Sequence, residues 1–231
     1  MSGIRKLSEL RQKTAPQGSG SDKTFSEELW LVKSMEEALG GPQRKSRAGV
    51  FYPSMLGSYC LRLLYLAYNG LLPERTIDDN LQRIFDNGSF LEERMETYFT
   101  KMGILLEREV EAKSDTPPMS GRADFILKHK DYDRVALELK SINDKGFEAL
   151  KTRPKREHTI QLQIYLHILQ LPYGIVLYEN KNNQKLKAFG MLPDEGIWNQ
   201  IVGKCTEVMQ MLEVPSRCKG PQWCNCRTYG G

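Results

Sequence analysis

Apolar and polar positions follow a helical period at both ends of the chain and a strand period in the middle. Apolar residues recur every three or four positions over 25–39 and again over 77–102, which predicts two amphipathic helices. A further helix is predicted over 53–69, because proline opens this apolar segment and Asn-Gly closes it. Cys60 is expected inside that helix.

After residue 103 the period shortens, and three segments read as strands: ILLEREVEA, RADFILK and RVALELKS. The next segment, KREHTIQLQIYLHILQL, is apolar on nearly every side and predicts a largely buried helix. A hairpin of YGIVLYEN and QKLKAFGML follows, and then a last helix from Pro193-Asp194 to about residue 214. This order predicts an α/β fold with a mixed central sheet.

Composition agrees with an ordinary globular protein, since 40% of the 231 residues are hydrophobic and 27% are charged. Residues 1–23 lack apolar periodicity and are expected to form a flexible arm, with 24–231 as a single domain. No apolar run approaches the roughly 18 residues that span a bilayer, and the N-terminus has no apolar signal core. We therefore expect a cytoplasmic protein without a membrane partner.

The candidate chemistry begins on the predicted strands. Side chains alternate across a strand, so Glu138 and Lys140 share one face. The preceding strand can bring Asp124 alongside them. This arrangement gathers two carboxylates and an ammonium group. The simpler alternative is a solvent-facing strand with ordinary cross-strand charge pairs.

Three short motifs occur in a fixed order along the chain: Gly121-x-x-Asp124, Glu138-x-Lys140 and Gln161-x-x-x-Tyr165. Together they resemble the RecB-like branch of the PD-(D/E)XK nucleases. The segment YPSMLGSYCLRLLYL resembles the one that carries the first cluster cysteine in CRISPR-associated and phage iron-sulfur exonucleases of this branch. The resemblance implies a restriction-endonuclease-like core, in which helices flank a mixed β-sheet.

The resemblance also implies roles for the clustered residues. Asp124 and Glu138 would bind Mg²⁺ or Mn²⁺ together with the carbonyl of Leu139, since these ions prefer oxygen ligands. Lys140 would orient or deprotonate the attacking water and stabilise charge on the phosphate.

Helical residues complete the implied site. Gln161 and Tyr165 would line the DNA path or brace Lys140, and the alternative is a buried structural pair. Glu92 stands where RecB-like enzymes often have histidine, so it is a candidate outer metal ligand or simply an exposed helix residue. Gly88 interrupts the same helix, and we expect close packing there against DNA or the sheet.

Cysteines form a second candidate site, consisting of Cys60, Cys218, Cys224 and Cys226. Four thiolates suit a 4Fe–4S cluster or a structural zinc ion. The resemblance favours the cluster, although the spacing of the last three cysteines departs from the family pattern. Cys205 is expected to be a buried thiol outside this site.

Four basic residues lie between the Glu-x-Lys and Gln-x-x-x-Tyr motifs and are expected to follow a DNA backbone: Lys151, Arg153, Lys155 and Arg156. Together, the motifs and the resemblance predict a metal-dependent DNA exonuclease that acts at single-stranded ends. Its context would be phage recombination or replication, in the host cytoplasm, or CRISPR-type adaptation, with partner proteins from those processes. The alternatives are a catalytically idle DNA-binding module and a structure-specific endonuclease.

Overall fold

The computed structural model describes residues 24–39, 47–73, 77–218, 224 and 226. The predicted N-terminal arm therefore lies outside the described residues. None of the helices in the described part of the chain is both long and apolar enough to cross a membrane.

A five-stranded sheet forms the centre of the part of the chain that the structure describes. Its strands are β1 (Leu105–Asp115), β2 (Pro118–His129), β3 (Asp133–Ile142), β4 (Gly174–Asn180) and β5 (Leu186–Met191). They stand side by side in chain order, with β3 and β4 parallel and the other neighbours antiparallel. The predicted mixed sheet and its β1–β2–β3 meander are confirmed.

The described residues contain seven helices: α1 (Thr24–Leu39), α2 (Pro53–Ser58), α3 (Leu61–Tyr68), α4 (Asp79–Lys101), α5 (Asp144–Ala149), α6 (Arg156–Ile168) and α7 (Glu195–Gln210). The short α5 was not predicted. It begins where the side chain of Asn143 accepts a hydrogen bond from the Gly146 amide at 2.8 Å, which is a typical N-cap. The last helix ends at Gln210, earlier than predicted.

The single helix predicted over 53–69 is wrong, because Tyr59 and Cys60 are extended and separate α2 from α3. Cys60 is consequently the N-cap residue of α3 and does not lie inside a helix. The break leaves the carbonyl of Tyr59 free of a helical partner, and it accepts a hydrogen bond from Lys204 Nζ of α7 at 2.9 Å. A tertiary contact thus satisfies the backbone group that the sequence pattern assigned to a helix.

Helix α6 lies between two hydrophobic layers. Leu162 and Leu166 pack against one face of the sheet, whereas Ile160 and Ile164 pack against α2, α3 and α7. This double burial explains why α6 is apolar on nearly every side. The opposite face of the sheet is covered by α4.

Two glycines differ in the space around them. A Cβ atom on Gly57 of α2 would lie 2.5 Å from the carbonyl oxygen of Glu157 and 2.7 Å from its Cα, so α2 and α6 are in backbone contact there. A Cβ on Gly88 of α4 would meet nothing within 4 Å among the described residues. The expectation that the sheet packs closely on Gly88 is therefore wrong, and an approach by DNA stays a prediction.

Alanine substitution at these two glycines should have opposite effects on stability. Gly57→Ala should lower the free energy of unfolding by about 1–3 kcal/mol, because the rigid α6 backbone cannot move aside cheaply. Gly88→Ala should raise it by about 0.5–1 kcal/mol through helix propensity. Urea unfolding followed by circular dichroism measures both. Equal stability of the Gly57→Ala variant and the wild type would contradict the close helix contact.

Candidate active site

The ladder between β2 and β3 ends at the pair Phe125–Leu137. Asp124 is the next residue of β2, and its Oδ2 accepts a hydrogen bond from the backbone N–H of Leu139 at 2.7 Å. A side-chain carboxylate thus takes the place of a backbone partner at this point of β3. The bond fixes Asp124 beside the strand that carries Glu138 and Lys140.

Glu138 is completely buried on the face of β3 that is covered by α6. Its Oε1 forms an ion pair with Lys140 Nζ, while Oε2 has no hydrogen-bond partner among the described residues. A buried carboxylate oxygen without a partner is costly, and such groups are rare in folded proteins. The Lys140 side chain retains 25% of its exposure, so the cluster is open to solvent on one side.

Burial and mutual repulsion govern the ionisation of these groups. Burial and the charge of Asp124 together raise the pKa of Glu138 to about 8, against the opposing effect of Lys140. Burial also raises the pKa of Asp124, while Lys140 and the Leu139 amide oppose that shift. Burial disfavours the charged form of Lys140, but the carboxylates of Glu138 and Asp124 outweigh it and raise the pKa of the ammonium group.

Glu92 of α4 is close enough to the same cluster to affect the pKa values of Glu138 and Lys140. Burial and the charge of Asp124 raise its pKa, and its Oε2 lies 3.9 Å from an Arg108 guanidinium nitrogen. The neighbouring Glu93 is exposed. Of the two adjacent glutamates, Glu92 is therefore the one positioned to add an oxygen to the cluster.

The sequence pattern did not single out Glu109 of β1. This residue has a φ of 51°, a left-handed conformation that is uncommon outside glycine. Its carboxylate lies 3.2 Å from Arg122 and contributes to the raised pKa values of Asp124 and Glu92. Three alternating glutamates in ILLEREVEA gave no signal that one of them would turn toward the cluster.

Gln161 and Tyr165 lie one turn apart on α6, and Gln161 Nε2 donates a hydrogen bond to Tyr165 Oη at 3.2 Å. Tyr165 is buried, and the charge of Glu138 adds to burial in raising its pKa. A Cβ atom on Gly121 would lie 3.2 Å from the Tyr165 ring and 2.7 Å from Pro53. Glycine in the Gly-x-x-Asp motif therefore makes room for Tyr165 beside the strand that carries Asp124.

A hydrogen-bonded pair that the sequence did not reveal adjoins Lys140. Tyr178 of β4 stands in register with Lys140 of β3. Its Oη accepts a hydrogen bond from the Lys155 amide at 3.0 Å and shares a second hydrogen bond with His158 Nδ1 at 2.7 Å. Burial and the charges of Lys140 and Lys155 lower the pKa of His158 to about 3, so this imidazole is neutral.

The predicted DNA-binding residues lie in the connection between α5 and α6 and in the first turn of α6. Lys151, Arg153 and Arg156 are exposed, and Lys155 is partly buried with its Nζ 4.0 Å from Glu157. The Lys155 amide bonded to Tyr178 connects this segment to the cluster. Their role in DNA binding stays a prediction.

The residue set fits a hard divalent cation. Asp124, Glu138 and Glu92 offer carboxylate oxygens, which Mg²⁺ and Mn²⁺ prefer. The unpartnered, buried Oε2 of Glu138 is the atom that most needs such a cation. A bound cation would also oppose the repulsion between the carboxylates that raises their pKa values.

The four cysteines that were predicted to form a second site do lie together. The Sγ atoms of Cys60, Cys218, Cys224 and Cys226 all lie within 4.8 Å of one another, and this group can hold a metal ion. Burial and the neighbouring thiols raise the pKa of Cys60 to about 12, against an opposing backbone hydrogen bond from Leu63, so metal binding here must displace a proton.

Cys205 is buried in the hydrophobic cluster of α7 and does not belong to the four-thiol group. It therefore provides an internal comparison for the four ligand candidates.

Comparison with known proteins supports the fold. No protein-family model matches the chain, and no curated protein matches its sequence. Among solved structures, the alkaline exonuclease LHK-Exo from Laribacter hongkongensis matches with a TM-score of 0.52 and 15% identity. The match covers 77% of this chain and 90% of that one.

The structure of LHK-Exo in complex with dAMP matches with the same TM-score of 0.52 at 16% identity, covering 71% of this chain and 88% of that one. The protein thus has the PD-(D/E)XK fold of an alkaline exonuclease, as predicted. Identity at this level shows the fold alone, so the activity has to be argued from the residues of this chain.

The raised pKa of Glu138 predicts how the stability of the metal-free protein changes with pH. An unfolded glutamate loses its proton near pH 4.5, whereas folded Glu138 keeps it up to about pH 8. The folded state binds the extra proton between these values, so the stability that Glu138 contributes is lost as the pH rises through this window. Glu138→Gln has no such proton and should weaken the decline.

Urea unfolding in EDTA at about pH 6 and about pH 9 measures this difference. The exposed Glu93→Gln is the matched control and should keep the pH dependence of the wild type. Identical pH dependence in Glu138→Gln and the wild type would contradict the assignment.

Proposed function

We propose that the protein is a metal-dependent deoxyribonuclease that hydrolyses phosphodiester bonds at DNA ends. The observation that carries the proposal is the buried Glu138, whose unpartnered Oε2 lies in a cluster with Asp124 and Lys140. A cluster of this kind in a nuclease fold has the residue types that phosphodiester hydrolysis requires. The complex of LHK-Exo with dAMP supports a deoxynucleotide as the ligand class.

Each residue of the cluster has a proposed role. Asp124 and Glu138 would hold Mg²⁺ or Mn²⁺ with the Leu139 carbonyl, and Glu92 would be an outer ligand. The bound cation would supply Lewis-acid chemistry by neutralising charge on the phosphate. Lys140 would position the attacking water through its exposed side and stabilise the negative charge that develops on the phosphate oxygens.

The surrounding residues would support Lys140 and guide the strand. Gln161 would brace the water or DNA through its amide, with Tyr165 fixing its orientation. The basic residues Lys151, Arg153 and Lys155 would neutralise backbone phosphates. Action at single-stranded ends, and a place in phage recombination, replication or CRISPR-type adaptation, remain part of the proposal by resemblance.

Removing the ammonium group of Lys140 tests the proposed chemistry. Lys140→Ala should reduce cleavage of end-labelled single-stranded DNA in Mg²⁺ or Mn²⁺ by at least about 10²-fold, because charge stabilisation at the phosphate is lost. Lys128→Gln, an exposed change at the other end of the sheet, should cleave at the wild-type rate. Each reaction also contains a single-stranded circular DNA, which an exonuclease cannot cleave because it has no end.

The labels and the circle separate the alternatives. Loss of linear DNA alone supports an exonuclease, and the label that is released first gives its polarity. Cutting of the circle would point to an endonuclease. Cleavage by Lys140→Ala at the wild-type rate would refute the proposed role of Lys140, and a wild-type protein that binds DNA without cleaving it would be an idle binding module.

We propose that the four-cysteine site carries a structural metal centre. The resemblance favours a 4Fe–4S cluster, which four cysteines can hold. The close spacing of the thiols suits a single tetrahedral zinc ion, whose Zn–S bonds are about 2.3 Å long. An iron-sulfur cluster is larger than one ion, so its thiolates would have to spread apart.

Metal analysis of anaerobically purified protein distinguishes the two centres. A cluster predicts iron and labile sulfide in equal amounts with visible absorbance, whereas zinc predicts one colourless ion per chain. Cys60→Ser should lose most of the metal and unfold at a lower temperature, because a metal centre contributes to folding. Cys205→Ser is the matched control and should retain the metal. Full metal content in Cys60→Ser would exclude Cys60 as a ligand.

A further inference from the structure

A small cleft lies between α6 and α7, outside the carboxylate cluster. Its walls are aliphatic and consist of Leu56, Ile160, Ile197 and Ile201. Its volume is about 100 Å³, well below the roughly 300 Å³ at which complete small-molecule sites begin. The cleft therefore suits a single chemical group of a larger ligand.

The charged side chains that line the cleft are both positive. Arg156 of α6 and Lys204 of α7 both line it, together with the polar residues Thr159 and Gln200, and none of the described carboxylates lines it. Arginine and lysine from different helices at one small cleft are typical of a site for a phosphate group, to which guanidinium donates in parallel. Aliphatic walls strengthen the attraction because they exclude water from the charges.

Lys204 is held in place before any ligand binds. Its Nζ donates to the carbonyl of Tyr59 at 2.9 Å, which uses one of the three ammonium protons and leaves two for a ligand. Burial and the charge of Arg156 lower the pKa of Lys204, so the two cations repel each other across the cleft. Cys205, Cys60 and Glu207 oppose this effect only in part, and Glu207 is exposed on α7. An anion between the two cations would relieve the repulsion.

The first turn of α6 connects the cleft with the carboxylate cluster. Arg156 is two residues before His158, and His158 is bonded to Tyr178, which stands in register with Lys140. The proposed path of the strand runs from Lys140 past this end of α6, where Arg156 is exposed. Lys204 belongs to a different helix and lies outside the basic segment that the sequence indicated.

We propose that Arg156 and Lys204 form a phosphate-binding subsite that holds one backbone phosphate of a DNA strand beside the candidate active site. The inference rests on the proposed function in taking DNA as the ligand. The proposed subsite adds a phosphate contact from α7, so that residues of both α6 and α7 would bind the strand. The Lys204 bond to Tyr59, next to Cys60, makes this contact depend on the break between α2 and α3.

Binding of a 5′-fluorescein-labelled dT₂₀ strand tests the subsite. Fluorescence anisotropy in EDTA, at several salt concentrations, gives the Kd without cleavage. Loss of one phosphate contact on single-stranded DNA should flatten the slope of log K against log salt by about 0.7, which is about fivefold in Kd at roughly 0.1 M salt. Lys204→Gln and Arg156→Gln should each show this effect.

Two further variants separate charge from structure. Lys204→Arg keeps the cation and should bind dT₂₀ nearly as tightly as the wild type. Lys128→Gln removes an equal charge from the far end of the sheet and should bind with the wild-type Kd and salt slope. If Lys204→Gln binds dT₂₀ like the wild type, or if Lys204→Arg binds as weakly as Lys204→Gln, the subsite is refuted.

The source of the phosphate and the nuclease activity have separate readouts. Titration with inorganic phosphate and with dTMP shows whether free phosphate occupies the cleft, and Lys204-dependent binding of these alone would refute a DNA subsite. Lys204-dependent binding of dT₂₀ by a protein that cleaves no DNA would support the subsite and contradict only the nuclease. If the wild type cleaves DNA but its binding of dT₂₀ does not depend on Lys204, the nuclease is supported and the subsite is refuted.

Discussion

The burial of the Glu138 carboxylate at the centre of the sheet is the constraint on which the rest of the site depends. Glu138 is completely buried, and burying an ionised carboxylate costs several kcal/mol even after relaxation. Its pairing with Lys140 and its raised pKa reduce this cost, but one oxygen has no hydrogen-bond partner among the residues that the structure describes. Apolar replacements of buried ion pairs are often neutral or stabilising, so a gain in stability does not explain why this pair is buried. The cation proposed for this site would account for the burial of Glu138.

The parallel pairing of β3 and β4 determines what surrounds that carboxylate. Parallel neighbours need a long crossover, and here it consists of α5, the basic segment and α6. The crossover lays α6 over the face of the sheet that carries Glu138. As a result, His158 and Tyr165 lie against the cluster, and the basic segment leads directly into the first turn of α6. The crossover between β3 and β4 thus provides both the helix that covers the cluster and the basic segment beside it.

The cysteine site links segments that are far apart in the chain. Cys60 at the start of α3 meets three cysteines that follow α7, so a metal centre there would close a long loop around the sheet. Closing a long loop restricts the unfolded chain and favours the folded state. The same junction fixes Lys204 through the carbonyl of Tyr59, which connects the stability of this corner to the charge in the cleft.

The sequence by itself determined the strand and helix patterns, the mixed sheet, the shared face of Glu138 and Lys140, and the one-turn spacing of Gln161 and Tyr165. Each of these depends on the local backbone period, which the pattern of apolar residues reveals. The break at Cys60, the turn of Glu109 toward the cluster, the contact of Tyr178 with His158 and the position of Lys204 beside Arg156 were decided by the tertiary structure. They depend on contacts between segments distant in sequence, and a one-dimensional pattern carries no record of which distant segments meet.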